Sequence, residues 1–200
     1  MSRKSSKIRF IPYRLGAIIL SLAKLMTSVF PIFSNLFFKE NPDEARKYLG
    51  LCPQYNILIP EMTVAEHLYF FASLKGQSEI DRNLEIPILA KEVQLGEKVN
   101  SFVGDLSGGM QRKLSLGIAL CGNSKFVILD EPSSGIDTRA RKDLWTILEK
   151  YRQNRTLLIS THYMDEAEAL GDRIVIISDG KLQCDGSIPF LKDKLGKEKF

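Results

Sequence analysis

Residues 106–137 read LSGGMQRKLSLGIALCGNSKFVILDEPSSGID. Ser107 ahead of two glycines predicts a capped helix running to about Cys121. FVILD (126–130) is a continuous apolar run with the β-branched pair Val127 and Ile128, which predicts a strand buried on both faces. The chain then turns through Glu-Pro-Ser-Ser-Gly, and Asp137 stands where it can cap the next helix. A buried strand set between helices is the pattern of an α/β fold with a mainly parallel sheet.

The flanking sequence extends that alternation. DLWTILEKY (143–151) places Leu144, Ile147, Leu148 and Tyr151 on one helical face. TLLIS (156–160) and IVIIS (174–178) predict two more buried strands, with a short helix at MDEAEAL (164–170) between them. Upstream, TVAEHLYFFASLKG (63–76) pairs Thr63 as N-cap with Glu66 three residues on, a capping box, and Gly76 stops the helix. A weaker helix is predicted over 80–93, and ARKYLGLCPQ (45–54) reads as a short strand ending in a polar turn.

Composition sets the outer limits. Two hundred residues make one domain, or one domain with an appendage, and 44% apolar residues suffice for a buried core. A net charge of +4, with the basic residues spread along the chain, gives no argument for a nucleic-acid partner. Cys52, Cys121 and Cys184 are far apart and odd in number, so they read as reduced thiols of a cytosolic domain.

Residues 1–42 differ in texture. The first 39 hold seven Lys or Arg and no Asp or Glu. LGAIILSLAKLMTSVFPIFSNLFF (15–38) is mostly apolar, interrupted by Lys24 and Pro31. Three readings stay open: a membrane-associated helix, a targeting peptide, and unrelated sequence left by splicing or a gene-model error. The lysine within the run argues against a true span.

Several positions carry potential chemistry. A strand ending in carboxylates presents them at the carboxyl edge of a sheet, where ligands bind in such folds. Asp130 suits Mg²⁺, which takes one or two carboxylates plus phosphate oxygens. Glu131 suits the orientation or deprotonation of an attacking water. The plainer reading is a solvated acidic turn. Ser107, Gly108 and Gly109 open a helix whose free N–H groups and dipole favour an anion, although a simple N-cap would look the same. His162 follows a buried strand and could hydrogen-bond a phosphate, or be structural. Gln54 lies in a loop where it could meet metal, water or a moving partner, or nothing.

Their order is more specific than any one of them. Gln54, Ser107–Gln111, Asp130–Glu131, Ser133–Asp137 and His162 together resemble the nucleotide-binding domain of an ABC transporter, over roughly residues 43–200. LSGGMQRKLS, MTVAEHLYFFASLKG, THYMDEAEALGDRI and KLQCDGSIPFLKDKLG resemble the A subfamily, which is associated with lipid movement. The resemblance implies a P-loop NTPase-like fold with a helical subdomain over about 60–122. It implies ATP and Mg²⁺ as cofactors, with Asp130 and Gln54 near the metal, Glu131 and His162 as catalytic groups, and Gln54, Ser107, Gly108, Gly109, Gln111 and Asp137 at nucleotide. Its partners would be a second nucleotide-binding domain and membrane domains that move lipid. The domain would sit on the cytosolic face of a membrane.

One component is missing from the sequence. Only Gly180 and Gly196 precede a lysine, and five residues before them stand Val175 and Leu191, so no G-x-x-x-x-G-K-[ST] occurs in the 200 residues. That loop and its lysine hold the β- and γ-phosphates. The chain alone is therefore expected not to hydrolyse ATP. Loss of the strand leading into the loop is expected to uncover apolar neighbours such as 126–130 and to leave the fold marginally stable. Two roles remain open: a partial ATPase domain, or a non-catalytic fragment that pairs with an intact subunit through Ser107–Gln111.

Overall fold

The computed structural model describes residues 16–20, 42–178 and 181–195. Its strands are β1 (Gly16–Leu20), β2 (Leu49–Cys52), β3 (Phe126–Asp130), β4 (Thr156–Thr161), β5 (Arg173–Ser178) and β6 (Lys181–Gly186). Its helices are α1 (Pro42–Tyr48), α2 (Val64–Leu74), α3 (Glu79–Glu92), α4 (Gly108–Leu120), α5 (Thr138–Tyr151), α6 (Met164–Leu170) and α7 (Ile188–Leu195).

The six strands form one sheet in the order β2-β3-β4-β1-β5-β6. β2, β3 and β4 run parallel, as the alternation of strands and helices requires, with Cys52 beside Leu129 and Leu129 beside Ile159. The remaining ladders, β4–β1, β1–β5 and β5–β6, are antiparallel. The sheet is thus an α/β sheet with a parallel heart and an antiparallel half. β5 and β6 are joined by a two-residue connection, too short for the crossover that a parallel pair needs.

Two expectations change here. The edges of 126–130 are both paired, by β2 and β4, while Phe126 and Ile128 stay only half-buried on one face. The segment 16–20, placed in the apolar N-terminal run, forms a strand between β4 and β5. The rest of that run lies outside the described residues. Among the described residues no helix is long and apolar enough to cross a membrane. The helix α1 over 42–48 was not anticipated, and it shortens the strand predicted over 45–54 to Leu49–Cys52.

Burial in the strands alternates more than their composition suggests. Val127 and Leu129 are buried, whereas Phe126 and Ile128 are only half-buried, so one face of β3 is fully covered and the other partly. The core joins this face to α2, α3, α4 and α5 through Leu68, Leu89, Leu114, Leu120, Leu144 and Leu148.

Local chemistry starts the helices as read. The Thr63 hydroxyl accepts the Glu66 N–H at 3.2 Å, and the Glu66 carboxylate accepts the Thr63 N–H at 2.7 Å. That pair of bonds satisfies donors which α2 would otherwise leave free. Thr63→Ala should lower stability by about 1 kcal/mol, read as a shifted urea midpoint, and an unshifted midpoint would mean the cap contributes nothing. His67, one turn later, is 1% exposed and fully used. Its Nδ1 donates to Thr63 O at 3.0 Å and its Nε2 accepts from Ile59 N–H at 3.0 Å, a neutral core histidine that ties the 55–62 loop to α2.

Candidate functional site

Parallel β3 and β4 end side by side, and their final residues meet. Asp130, exposed at the end of β3, accepts a hydrogen bond from the Ser160 hydroxyl of β4. The Glu131 N–H donates to Ser160 O at 3.0 Å. Glu131 has φ +46°, a left-handed conformation that costs energy for any residue with a Cβ. Its carboxylate accepts from His162 Nδ1 at 2.6 Å. The Glu131 side chain is 18% exposed and that of His162 50%, so the pair is seated in the protein on the carboxylate side and open on the imidazole side. His162 also lies 4.1 Å from the Tyr163 ring, and the Arg141 guanidinium covers that ring at 4.1 Å.

The glycine-opened helix borders the same region. Ser107 is the N-cap of α4, its hydroxyl accepting from Met110 N–H at 3.3 Å. Gly108 is open: a Cβ there would touch nothing within 4 Å. Gly109 is not, since its Cβ would lie 3.1 Å from Ala140 Cβ in the first turn of α5. Asp137 caps α5 by accepting from Arg139 N–H and Ala140 N–H, both at 2.9 Å. Those backbone donors hold its carboxyl below the usual range, the Ala140 bond foremost. Ala140 in the first turn of α5 thus neighbours Gly109 and bonds to Asp137.

Gln111 lies in the first turn of α4. Its amide Nε2 donates to Val103 O at 3.2 Å and Leu106 O at 3.3 Å, so its donors fasten the preceding loop to α4. Gln54 follows β2 and is exposed, and only its carbonyl is engaged, by Arg112. The next residues present apolar side chains to solvent, with Tyr55 79%, Ile57 75% and Ile59 49% exposed. Phe70 on α2 is 47% exposed as well.

Arg112 is the residue that the sequence reading passed over. It is 2% exposed and every N–H of its guanidinium faces an oxygen. The dipeptide Arg-Lys inside an amphipathic helix reads as surface charge, and nothing local marks one of the two as buried. Lys113, its side chain 12% exposed, instead bridges Gln94 Oε1 at 2.7 Å and Asp143 Oδ2 at 2.8 Å.

Among the described residues no group of three or more His, Cys, Asp and Glu side chains gathers as a metal site. Asp130 offers a single exposed carboxylate, which fits Mg²⁺ only if other oxygens come from a phosphate. The sheet edge carries two carboxylates and a histidine, and the start of α4 offers open backbone at Gly108 as a separate feature, each able to place charge or hydrogen bonds near an anion.

The chain is similar to known ABC transporter proteins. The family model described as ABC transporter matches residues 21–134. The chain is 53% identical over 156 residues to the retinal-specific phospholipid-transporting ATPase ABCA4 of Mus musculus, covering 78% of this chain and 7% of that protein. It is 47% identical over 178 residues to the phospholipid-transporting ATPase ABCA3 of Homo sapiens, covering 86% of this chain and 10% of the relative. The chain thus spans about a tenth or less of the length of these relatives. A solved ATP-binding subunit of an ABC transporter superposes with a TM-score of 0.68 at 28% identity, covering 80% of this chain and 67% of that one.

Proposed function

The chain belongs to the ABC transporter family, with close relatives in its A subfamily, and from that premise we propose that residues 43–200 act as part of a nucleotide-binding domain of a lipid transporter. In this reading about 60–122 form the helical subdomain, and the N-terminal segment 1–42 contributes residues 16–20 to the sheet. The observation that carries it is the meeting of Asp130, Glu131 and His162 at the ends of β3 and β4, in a chain that also carries the open helix start Ser107-Gly108-Gly109.

The roles divide by what each group is free to do. Asp130 is the carboxylate for Mg²⁺, with Gln54 the second candidate. Glu131, held by His162, is the group that orients a water, and His162 is the phosphate sensor. Ser107, Gly108 and Gly109 face a nucleotide with open backbone donors, and Asp137 sets the start of the neighbouring helix. Gln111 serves by holding the 103–106 loop in place.

The residues present fit Mg²⁺ and the far side of a triphosphate better than they fit ATP as a whole. No lysine loop for the β- and γ-phosphates occurs in the sequence. The complete transporter reaction, ATP hydrolysis coupled to lipid movement at a membrane, therefore needs a second nucleotide-binding domain. The exposed apolar run Tyr55, Ile57 and Ile59 after Gln54 suits docking of the membrane domains on the cytosolic face. The second reading, a non-catalytic fragment that pairs with an intact subunit, is favoured by the same missing loop.

The test is association and turnover with ATP. The purified chain should show no ATPase activity by itself. It should crosslink to an intact nucleotide-binding domain of a phospholipid-transporting relative only when ATP is present, and Gly108→Asp should abolish that dependence. Turnover by the chain alone that disappears in Glu131→Gln would overturn the need for a partner. Crosslinking indifferent to ATP would sink the pairing through Ser107–Gly109.

A further inference from the structure

Two irregular segments leave the sheet at the same edge. Residues 53–56 follow β2 and residues 130–132 end β3, and these strands are parallel neighbours. Beyond the strands, Glu131 keeps one backbone bond to β4, its N–H donating to Ser160 O at 3.0 Å. One buried side chain from α4 joins them. Arg112 Nη1 donates to Pro53 O at 2.6 Å, Gln54 O at 3.2 Å and Asn56 Oδ1 at 3.2 Å. Its Nη2 donates to Asp130 O at 2.9 Å and Glu131 O at 3.0 Å, and its Nε to Pro132 O at 2.7 Å. Ser115, one turn along α4, adds a bond to Asn56 Oδ1 at 3.0 Å.

We infer that Arg112 is a positioning residue that makes the glycine-opened helix, the Gln54 loop and the Asp130–Pro132 turn shift as one body. Three physical points support this. A guanidinium is planar and rigid, so its five donors fix the relative positions of the acceptors they reach. The guanidinium itself is 2% exposed and its bond to Pro132 O is buried, the others partly so, and a buried donor left without its partner carries a desolvation cost. Finally, the bonded oxygens are nearly all backbone, so the tie holds the course of the chain rather than one mobile side chain. A displacement of the Gln54 loop is then transmitted to the backbone that carries Glu131. This deepens the proposed function, because Gln54 and Glu131 acquire their roles from it.

The test needs no nucleotide. Amide hydrogen exchange of the full chain should be compared between wild type, Arg112→Lys and Lys113→Met. Lysine keeps the charge but cannot span six oxygens. In Arg112→Lys, exchange in 53–57 and in 130–134 should rise together, each by about tenfold, while 142–150 in α5 keeps its protection. Lys113→Met should leave both loops unchanged. A rise in one loop alone, or a uniform rise over the chain, would overturn the inference. If Arg112→Lys fails to fold, Asn56→Ala removes one acceptor from an exposed position, and exchange at 130–134 should still rise by about threefold. Unchanged exchange there would overturn it equally. Because no ATP or partner enters the measurement, its failure is distinguishable from failure of the proposed function.

Discussion

Gly50→Ala is expected to cost about 3 kcal/mol or more of stability, because one methyl group has no room. A Cβ on Gly50 would lie 2.0 Å from Ala119 O and 2.9 Å from Ala119 C, with Ser124 Oγ at 3.2 Å. The obstacle is backbone in the last turn of α4, not a side chain that can rotate away. That turn is itself pinned. Lys75 Nζ donates to Ala119 O at 3.3 Å, Cys121 O at 2.8 Å and Ser124 Oγ at 2.6 Å. Relief would require β2 and α4 to separate along the contact that seats both. Urea unfolding gives the measurement, and Gly108→Ala is the control, since a Cβ there meets nothing within 4 Å. Gly108→Ala should stay within about 0.5 kcal/mol of wild type. A Gly50→Ala protein as stable as that control would show that β2 does not lie against α4 as described.

Stability should also fall steeply between about pH 9 and pH 11, through Cys52 and Cys121. Burial pushes each thiol from its ordinary 9.0 up to about 11. Arg112 near Cys52 and Lys75 near Cys121 oppose that rise but do not cancel it. Because the folded pKa is the higher one, the unfolded chain loses the proton first as pH rises. The unfolded state then binds fewer protons, so the stability present below pH 9 is lost as pH climbs through the folded value. Each thiol accounts for on the order of 2–3 kcal/mol across that window. Tyr151, raised by burial and by the Glu92 carboxylate, acts in the same sense at higher pH, whereas Lys75, lowered by burial, acts against it. The comparison that isolates the thiols is the double variant Cys52→Ala, Cys121→Ala, each protein referenced to its own stability at pH 7. The variant should lose clearly less between pH 9 and 11. Parallel curves would show that neither thiol ionises on unfolding.

Both predictions rest on contacts between residues far apart in the chain, and that marks how far a single sequence carries. The Thr63–Glu66 box, the Ser107 and Asp137 caps and the strand at 126–130 were legible because each is decided within a few residues. A cap needs a side-chain oxygen two or three residues from a free N–H, and a strand needs a run of apolar residues. The order of Gln54, Ser107–Gly109, Asp130, Glu131 and His162 was equally legible, and the family follows from it.

Tertiary structure decided the rest. It turned Gln111 toward the 103–106 loop, since its amide found carbonyls there. It inserted residues 16–20 between β4 and β5 in antiparallel register, where two strand edges needed partners. It demanded glycine at position 50, where a helix end approaches a strand. Above all it chose between Arg112 and Lys113, adjacent and alike in charge. One lies inward among the oxygens of two loops and the other reaches Asp143, because successive residues on a helix point about 100° apart. The sequence by itself determined which groups are available and how the helices that bear them begin. Their burial and partners were settled only when β2, β3 and β4 came into register and brought positions 53 and 130 within reach of one guanidinium.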